Sequence, residues 1–192
     1  MKKALYMCLA SVLILGTSGF AAASSSDQPG GPSTISDLDT NQQADHRVAN
    51  QVRHELVMMP QFGIFDNLAY KVDGGTVTLL GQVRNAILKD EAEQSVKHIE
   101  GVTKVENQIE ILPASFNDDR IRRQVARAIF NQPRLFNYAI QGYPPIHIIV
   151  KNGRVDLLGM VRNQGDKDVA FIMANGVPGV FAVQNDLQVE KH

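Results

Sequence analysis

The chain has 192 residues, 20% of them charged and 44% hydrophobic, with one cysteine and no tryptophan. Nineteen basic residues nearly balance 20 acidic ones, so the chain lacks the basic domain that marks a nucleic-acid partner. A single thiol excludes an internal disulfide and any multi-cysteine metal site.

Lys2 and Lys3 precede an apolar stretch from Ala4 to Leu15, and Ala21-Ala22-Ala23 offers a small-residue cleavage site. That is the layout of a secretory signal peptide over residues 1–23. The stretch is shorter than the roughly 20 apolar residues that span a bilayer. Cys8 lies inside it rather than at the cleavage point, so no lipid anchor is expected there. Cleavage leaves 17 basic against 20 acidic residues, a net charge of −3. Residues 24–44, mostly Ser, Asp, Gln, Pro, Gly and Thr, read as a disordered tether with little to bury. The expected product is a periplasmic, unlipidated protein with no transmembrane segment after cleavage.

The remainder is an internal repeat, the feature that decides how the rest is read. Thr76-Val-Thr-Leu-Leu-Gly-Gln-Val-Arg-Asn85 aligns with Arg154-Val-Asp-Leu-Leu-Gly-Met-Val-Arg-Asn163 at an offset of 78 residues. The same offset pairs Gly101-Val102 with Gly179-Val180 and Asn107 with Asn185. Upstream the offset falls to 73, pairing Val48, Val52, Leu56 and Pro60 with Ile121, Val125, Ile129 and Pro133. The second copy therefore carries five extra residues, within Leu135–Pro145.

In chain order, Val48, Val52 and Leu56 recur at helical spacing after Asp45, an N-cap candidate, and Pro60 ends the run. Leu68, Tyr70 and Val72 alternate before Gly74-Gly75, and Val77, Leu79 and Val83 alternate after it, with Gly81 in phase. This predicts a hairpin, with Gly81 marking a bulge or a close approach. A helix over Ala86–His98 and a last strand through Val105, Ile109 and Ile111 complete the first copy. The second repeats this order from Asn117 or Asp118 as N-cap, through the Asn152-Gly153 turn, to Val183, Leu187 and Val189. Its second helix is expected to start late because of Gly165. Asn107 and Asn185, repeated inside an apolar alternation, are expected to hydrogen-bond neighbouring backbone. The fold class is α+β: two tandem αββαβ modules over 45–112 and 117–190, each a three-stranded mixed sheet with two helices on one face.

The motifs Val72-Asp-Gly-Gly-Thr-Val-Thr-Leu-Leu-Gly-Gln-Val83 and Gly101-Val-Thr-Lys-Val-Glu-Asn-Gln-Ile-Glu-Ile111 resemble the BON domain, named after bacterial osmotically induced and nodulation proteins. They recur as Val150–Val161 and Gly179–Val189. The resemblance implies cell-envelope roles: binding phospholipid surfaces, maintaining membrane integrity and assisting envelope proteins under stress. It implies no catalytic site and no cofactor.

The residues themselves agree with a binding role. No Gly-x-Ser-x-Gly elbow, His-Glu-x-x-His pair or Gly-Lys-Ser/Thr phosphate loop occurs. His46 and His54 lie eight residues apart without an acidic partner at ligand spacing. On the first helix of the second copy, Arg120, Arg123 and Arg127 share the face opposite the apolar stripe, with Phe130 one turn on. Arginines beside an aromatic ring suit an anionic phospholipid surface, with Phe136, Tyr138 and Tyr143 of the insertion beside them. A solvated arginine face with Phe130 tucked under the insertion also satisfies the pattern. On the sheet face away from the helices, Leu80, Ile149, Leu158 and Met160 are candidates for a contact between modules or with an envelope protein. His147 falls on that face too, where burial would make it pH-sensitive. The expected function is a non-enzymatic periplasmic module for envelope maintenance that contacts anionic phospholipid through the second copy. The alternative is a chaperone-like, protein-binding factor.

Overall fold

Residues 35–141 and 144–191 are described in the structure, a computed structural model. The signal peptide, tether residues 24–34 and Tyr143 lie outside the described residues.

Helix α1 runs Ile35–Val57, beginning well before the expected start at Asp45. No proline or glycine interrupts residues 35–44, so nothing in the local backbone stops the helix there. The upper part of the expected tether is therefore helical. Asp45 sits inside the helix, and its carboxylate accepts from the Gly74 N–H at 3.2 Å instead of capping. Strands β1 (Asn67–Asp73) and β2 (Thr76–Val83) form the hairpin, α2 spans Ala86–Lys97, and the last strand falls into β3 (Lys104–Asn107) and β4 (Glu110–Ile111). Strand β2 is central, antiparallel to β1 and parallel to β3 and β4, giving the mixed sheet. Val52 and Leu56 from α1, Leu68, Val77, Leu79 and Val83 from the sheet, and Leu88, Ala92 and Val96 from α2 form one core cluster.

The second module repeats this with α3 (Phe116–Phe130), β5 (Ile146–Lys151), β6 (Arg154–Val161), α5 (Gln164–Asn175), β7 (Ala182–Asn185) and β8 (Gln188–Val189). A short turn of helix, α4 (Phe136–Ala139), lies in the insertion. Its core joins Ile121, Val125 and Ile129 to Ile146, Ile148, Val150, Val155 and Leu157. Fully burying each such aliphatic side chain contributes roughly 1.5–3 kcal/mol.

Both last strands break at the repeated asparagine. The Asn107 side-chain oxygen accepts from the Ile109 N–H at 3.2 Å, and its side-chain amide donates to the Lys89 backbone carbonyl at 3.0 Å. Asn185 makes the same bonds with Leu187 and Lys167. Each asparagine thus satisfies the backbone N–H two residues on and ties the strand to the preceding helix. Two helix starts differ from expectation. Ser115 caps α3, accepting from the Asp118 N–H at 3.2 Å, and so displaces Asn117 and Asp118 from that role. Helix α5 starts at Gln164, before Gly165, because the Asn163 side chain accepts from the Asp166 N–H and offsets the glycine.

Asp118, 1% exposed, holds the second hairpin from below. Its two carboxylate oxygens accept from the Asn152 and Gly153 N–H groups, both at 2.9 Å. Asp118→Ala strands both donors, one of them buried, and is expected to destabilise the module by roughly 2–4 kcal/mol. Asp45→Ala, which removes one exposed bond in the first module, should cost less than about 1 kcal/mol. Urea unfolding of the two variants against the parent measures the difference.

Candidate functional site

Helix α3 carries most of the charge chemistry. Ser115 closes its N-terminus, and Asp118 and Asp119 stand in its first turn, where carboxylates complement the helix dipole. Ile121, Val125 and Ile129 bury one face. At about 100° per residue, Phe116, Arg120, Arg123 and Arg127 fall within about 60° of one another on the opposite side. The three arginines are exposed, and Phe116 is 98% exposed. Arg120 donates to the Asn117 side-chain oxygen at 2.7 Å, which holds its guanidinium near the start of the helix. Arg127 reaches the rim of a shallow groove between α3 and α5, whose apolar wall includes Ala128, Met173 and Ile172. Ile172 itself is 58% exposed.

Phe130 stands apart from this group: it is half-buried and packs against the core of the module. The exposed rings are elsewhere. Phe181 is 77% exposed, with the Arg154 guanidinium 5.2 Å above it. A helix capped by Asn117 or Asp118, as the sequence pattern suggests, leaves Phe116 off the wheel. A wheel begun at Ser115, itself a good N-cap residue, places Phe116 in the arginine stripe.

Arg122, one residue from that stripe, is 3% exposed. It donates to the Val150 carbonyl at 2.6 Å and pairs with Asp119, so it bolts α3 to the end of β5. Sequence periodicity gives no sign of this, since an arginine beside an apolar stripe reads as a flank.

The insertion does not extend the arginine face with three aromatics as expected. Tyr138 turns inward, 3% exposed, because its hydroxyl has two partners there. It donates to the Asp166 carboxylate at 2.6 Å and accepts from the Arg162 N–H at 2.9 Å. Arg134 pairs with the other Asp166 oxygen and donates to Asn163 at 2.8 Å. Burial works against the Asp166 carboxylate, but the Tyr138 hydroxyl and the Arg134 and Arg162 charges together hold its pKa below the usual range. Tyr138 and Arg134 therefore tie this segment to the start of α5. Phe136 remains exposed at 53%.

On the sheet faces away from the helices, Leu80, Leu158 and Met160 are half-buried and Ile149 is 2% exposed. His147 pairs in register with Leu158 and is 7% exposed. Among the described residues no cluster of three or more His, Cys, Asp or Glu side chains stands ready to hold a metal. No helix among them is long and apolar enough to cross a membrane.

Two αββαβ modules, each with a glycine-bearing hairpin turn and a split parallel strand, define a tandem repeat of one small domain. The family model described as "BON domain" matches residues 44–113 and 117–191, and the chain belongs to the BON domain family. It is 33% identical over 114 residues to the outer membrane lipoprotein DolP of Haemophilus influenzae, covering 57% of this chain and 55% of that one. It is 29% identical over 127 residues to the osmotically-inducible protein Y of Escherichia coli, covering 65% of this chain and 62% of that one. The matched regions thus span between half and two thirds of these relatives. The C-terminal domain of CdsD, a structural protein of the Chlamydia trachomatis type III secretion system, aligns at 14% identity over 74% of this chain and 96% of that one. Its TM-score of 0.26 carries no argument about fold or function.

Proposed function

We propose that the protein is a non-enzymatic module of the bacterial cell envelope, exported to the periplasm, that docks peripherally on anionic phospholipid through α3. The observation that carries this reading is the stripe of Phe116, Arg120, Arg123 and Arg127: three exposed cations in line with a phenylalanine that touches almost nothing. A solvated helix gains nothing from a bare ring, since exposing it forfeits its burial energy. A lipid headgroup layer satisfies both parts, attracting the charges and taking up the ring. The matching positions of α1 include Arg47, Asn50 and His54, so the first module has no such stripe. A relative named as an outer membrane lipoprotein and another named for osmotic induction agree with an envelope setting.

A second surface serves protein contact. Leu80, Ile149, Leu158 and Met160 lie on the open sheet faces, and the burial of Ile149 there, together with a Lys151–Glu110 ion pair between modules, favours a role in joining the two copies. The chaperone-like alternative would use the same residues for a client protein.

Sedimentation with vesicles tests the lipid reading. The protein is expected to pellet with phosphatidylglycerol-containing vesicles and not with phosphatidylcholine alone. Phe116→Ala should weaken the fraction of binding that survives high salt, because the ring's contribution is apolar and unscreened. Equal binding to both vesicle types would favour the protein-contact reading.

A further inference from the structure

The two modules meet along a seam that the sequence did not reveal. Residues 62–66, a few positions after α1, lie against the second module at β5. The Ile148 N–H donates to the Ile64 carbonyl at 2.7 Å, and Phe65 packs against the second core. At the centre is His147, stacked on Phe62 with ring centroids 5.4 Å apart and planes 29° from parallel. The backbone of Gly63 and Asp66 hydrogen-bonds to the same imidazole. One histidine, 7% exposed, thus sits where a loop of one module closes on a strand of the other.

We propose that His147 is an acid-sensitive latch: protonation of its imidazole releases residues 62–66 from β5 and frees the modules from each other. A neutral imidazole suits this site, whereas an imidazolium carries a full charge into a place closed to water. Burial accordingly pushes the His147 pKa below the ordinary histidine value, with the two backbone hydrogen bonds opposing only in part. A pKa lowered in the docked state contributes stability that is fully present above the undocked pKa, about 6.5. That stability is lost as pH falls from there toward the depressed value.

The neighbouring charges do not supply a counter-ion. Asp66, 1% exposed, presents its carboxylate to the Arg84 N–H at 2.9 Å and to the Arg84 guanidinium at 3.9 Å, and Arg122 of α3 adds positive field. Burial raises the Asp66 pKa despite these partners, so acid neutralises this carboxyl and eases its burial, the reverse of its effect on His147. The Glu110–Lys151 pair, farther along β5, is about half exposed.

Hydrogen exchange of the Ile148 amide reads the latch directly, once corrected for the intrinsic rate. Below pH of about 6.5 its protection is expected to fall about tenfold per pH unit until the depressed pKa is reached. Two amides bonded inside the modules, Gln108 to the Leu79 carbonyl and Asp186 to the Leu157 carbonyl, should hold their protection. In His147→Gln, or in His147→Phe should the glutamine variant not fold, Ile148 protection should stay level or rise with acid. A flat profile in the parent, an equal fall in the variant, or a parallel fall at Gln108 and Asp186 would overturn the latch.

Discussion

Gly159→Ala should unfold the second module at temperatures where the first remains native. Gly159 has φ of +115°, and a Cβ there would lie 1.9 Å from the Pro145 carbonyl oxygen and 3.0 Å from its carbon. Both are backbone atoms of the segment entering β5, and that oxygen also accepts the Met160 N–H at 3.0 Å, so the chain cannot step aside without breaking the sheet. A left-handed non-glycine residue costs roughly 1–3 kcal/mol, and overpacking adds roughly 1–3 more. The sum, on the order of 4 kcal/mol, is a large part of the stability of a small domain and corresponds to a fall in Tm of about 20 °C. Gly81, the equivalent residue, has φ of +121° and brings a Cβ within 2.1 Å of the Asn67 carbonyl, so Gly81→Ala should do the same to the first module. Gly176→Ala is the control, because Gly176 has φ of −78° and the nearest atoms to its Cβ position lie at ordinary contact distances of 3.5 and 3.8 Å. Thermal melts followed by circular dichroism should show one of two transitions lowered in each of the first two variants and neither in the third.

Those two glycines also mark how far the sequence could be read. The alternation of Val77, Leu79 and Val83 requires a side chain at position 81 on the core face, and a glycine there signals a close approach. Repetition at an offset of 78 made the signal twofold. The αββαβ order, the hairpin turns and the roles of Asn107 and Asn185 were legible for the same reason: each is local, and each occurs twice. What stayed hidden is non-local. Whether Asp45 caps a helix or braces a hairpin depends on a turn 29 residues away. Tyr138 is an aromatic in a loop until Asp166, 28 residues on, gives its hydroxyl a partner. Arg122 reads as a flank of the apolar stripe until Val150 supplies a carbonyl. The start of α3 at Ser115 brings Phe116 into the arginine stripe, while Phe130, which the wheel sets beside Arg123, is the last residue of the helix and packs against the second core instead.

The arginine stripe carries the largest expected functional effect. Each basic residue near an anionic bilayer contributes on the order of 1 kcal/mol, so three contribute roughly 3 kcal/mol, or about a hundredfold in affinity at low salt. Arg120, Arg123 and Arg127 are exposed, and glutamine matches arginine closely in helix propensity. Replacing all three with glutamine should therefore leave the melting curve of the second module in place. The contrast with Arg122 is useful: that side chain is 3% exposed, and Arg122→Gln should destabilise the fold instead.

A binding titration of the parent and the triple glutamine variant with phosphatidylglycerol-containing vesicles, at low and high salt, puts the central claim to its most direct test. The parent is expected to bind about a hundredfold more tightly at low salt, and the gap should narrow as salt screens the charges. If the triple variant binds as tightly as the parent at low salt while remaining folded, α3 is not the membrane-facing surface and the lipid reading fails.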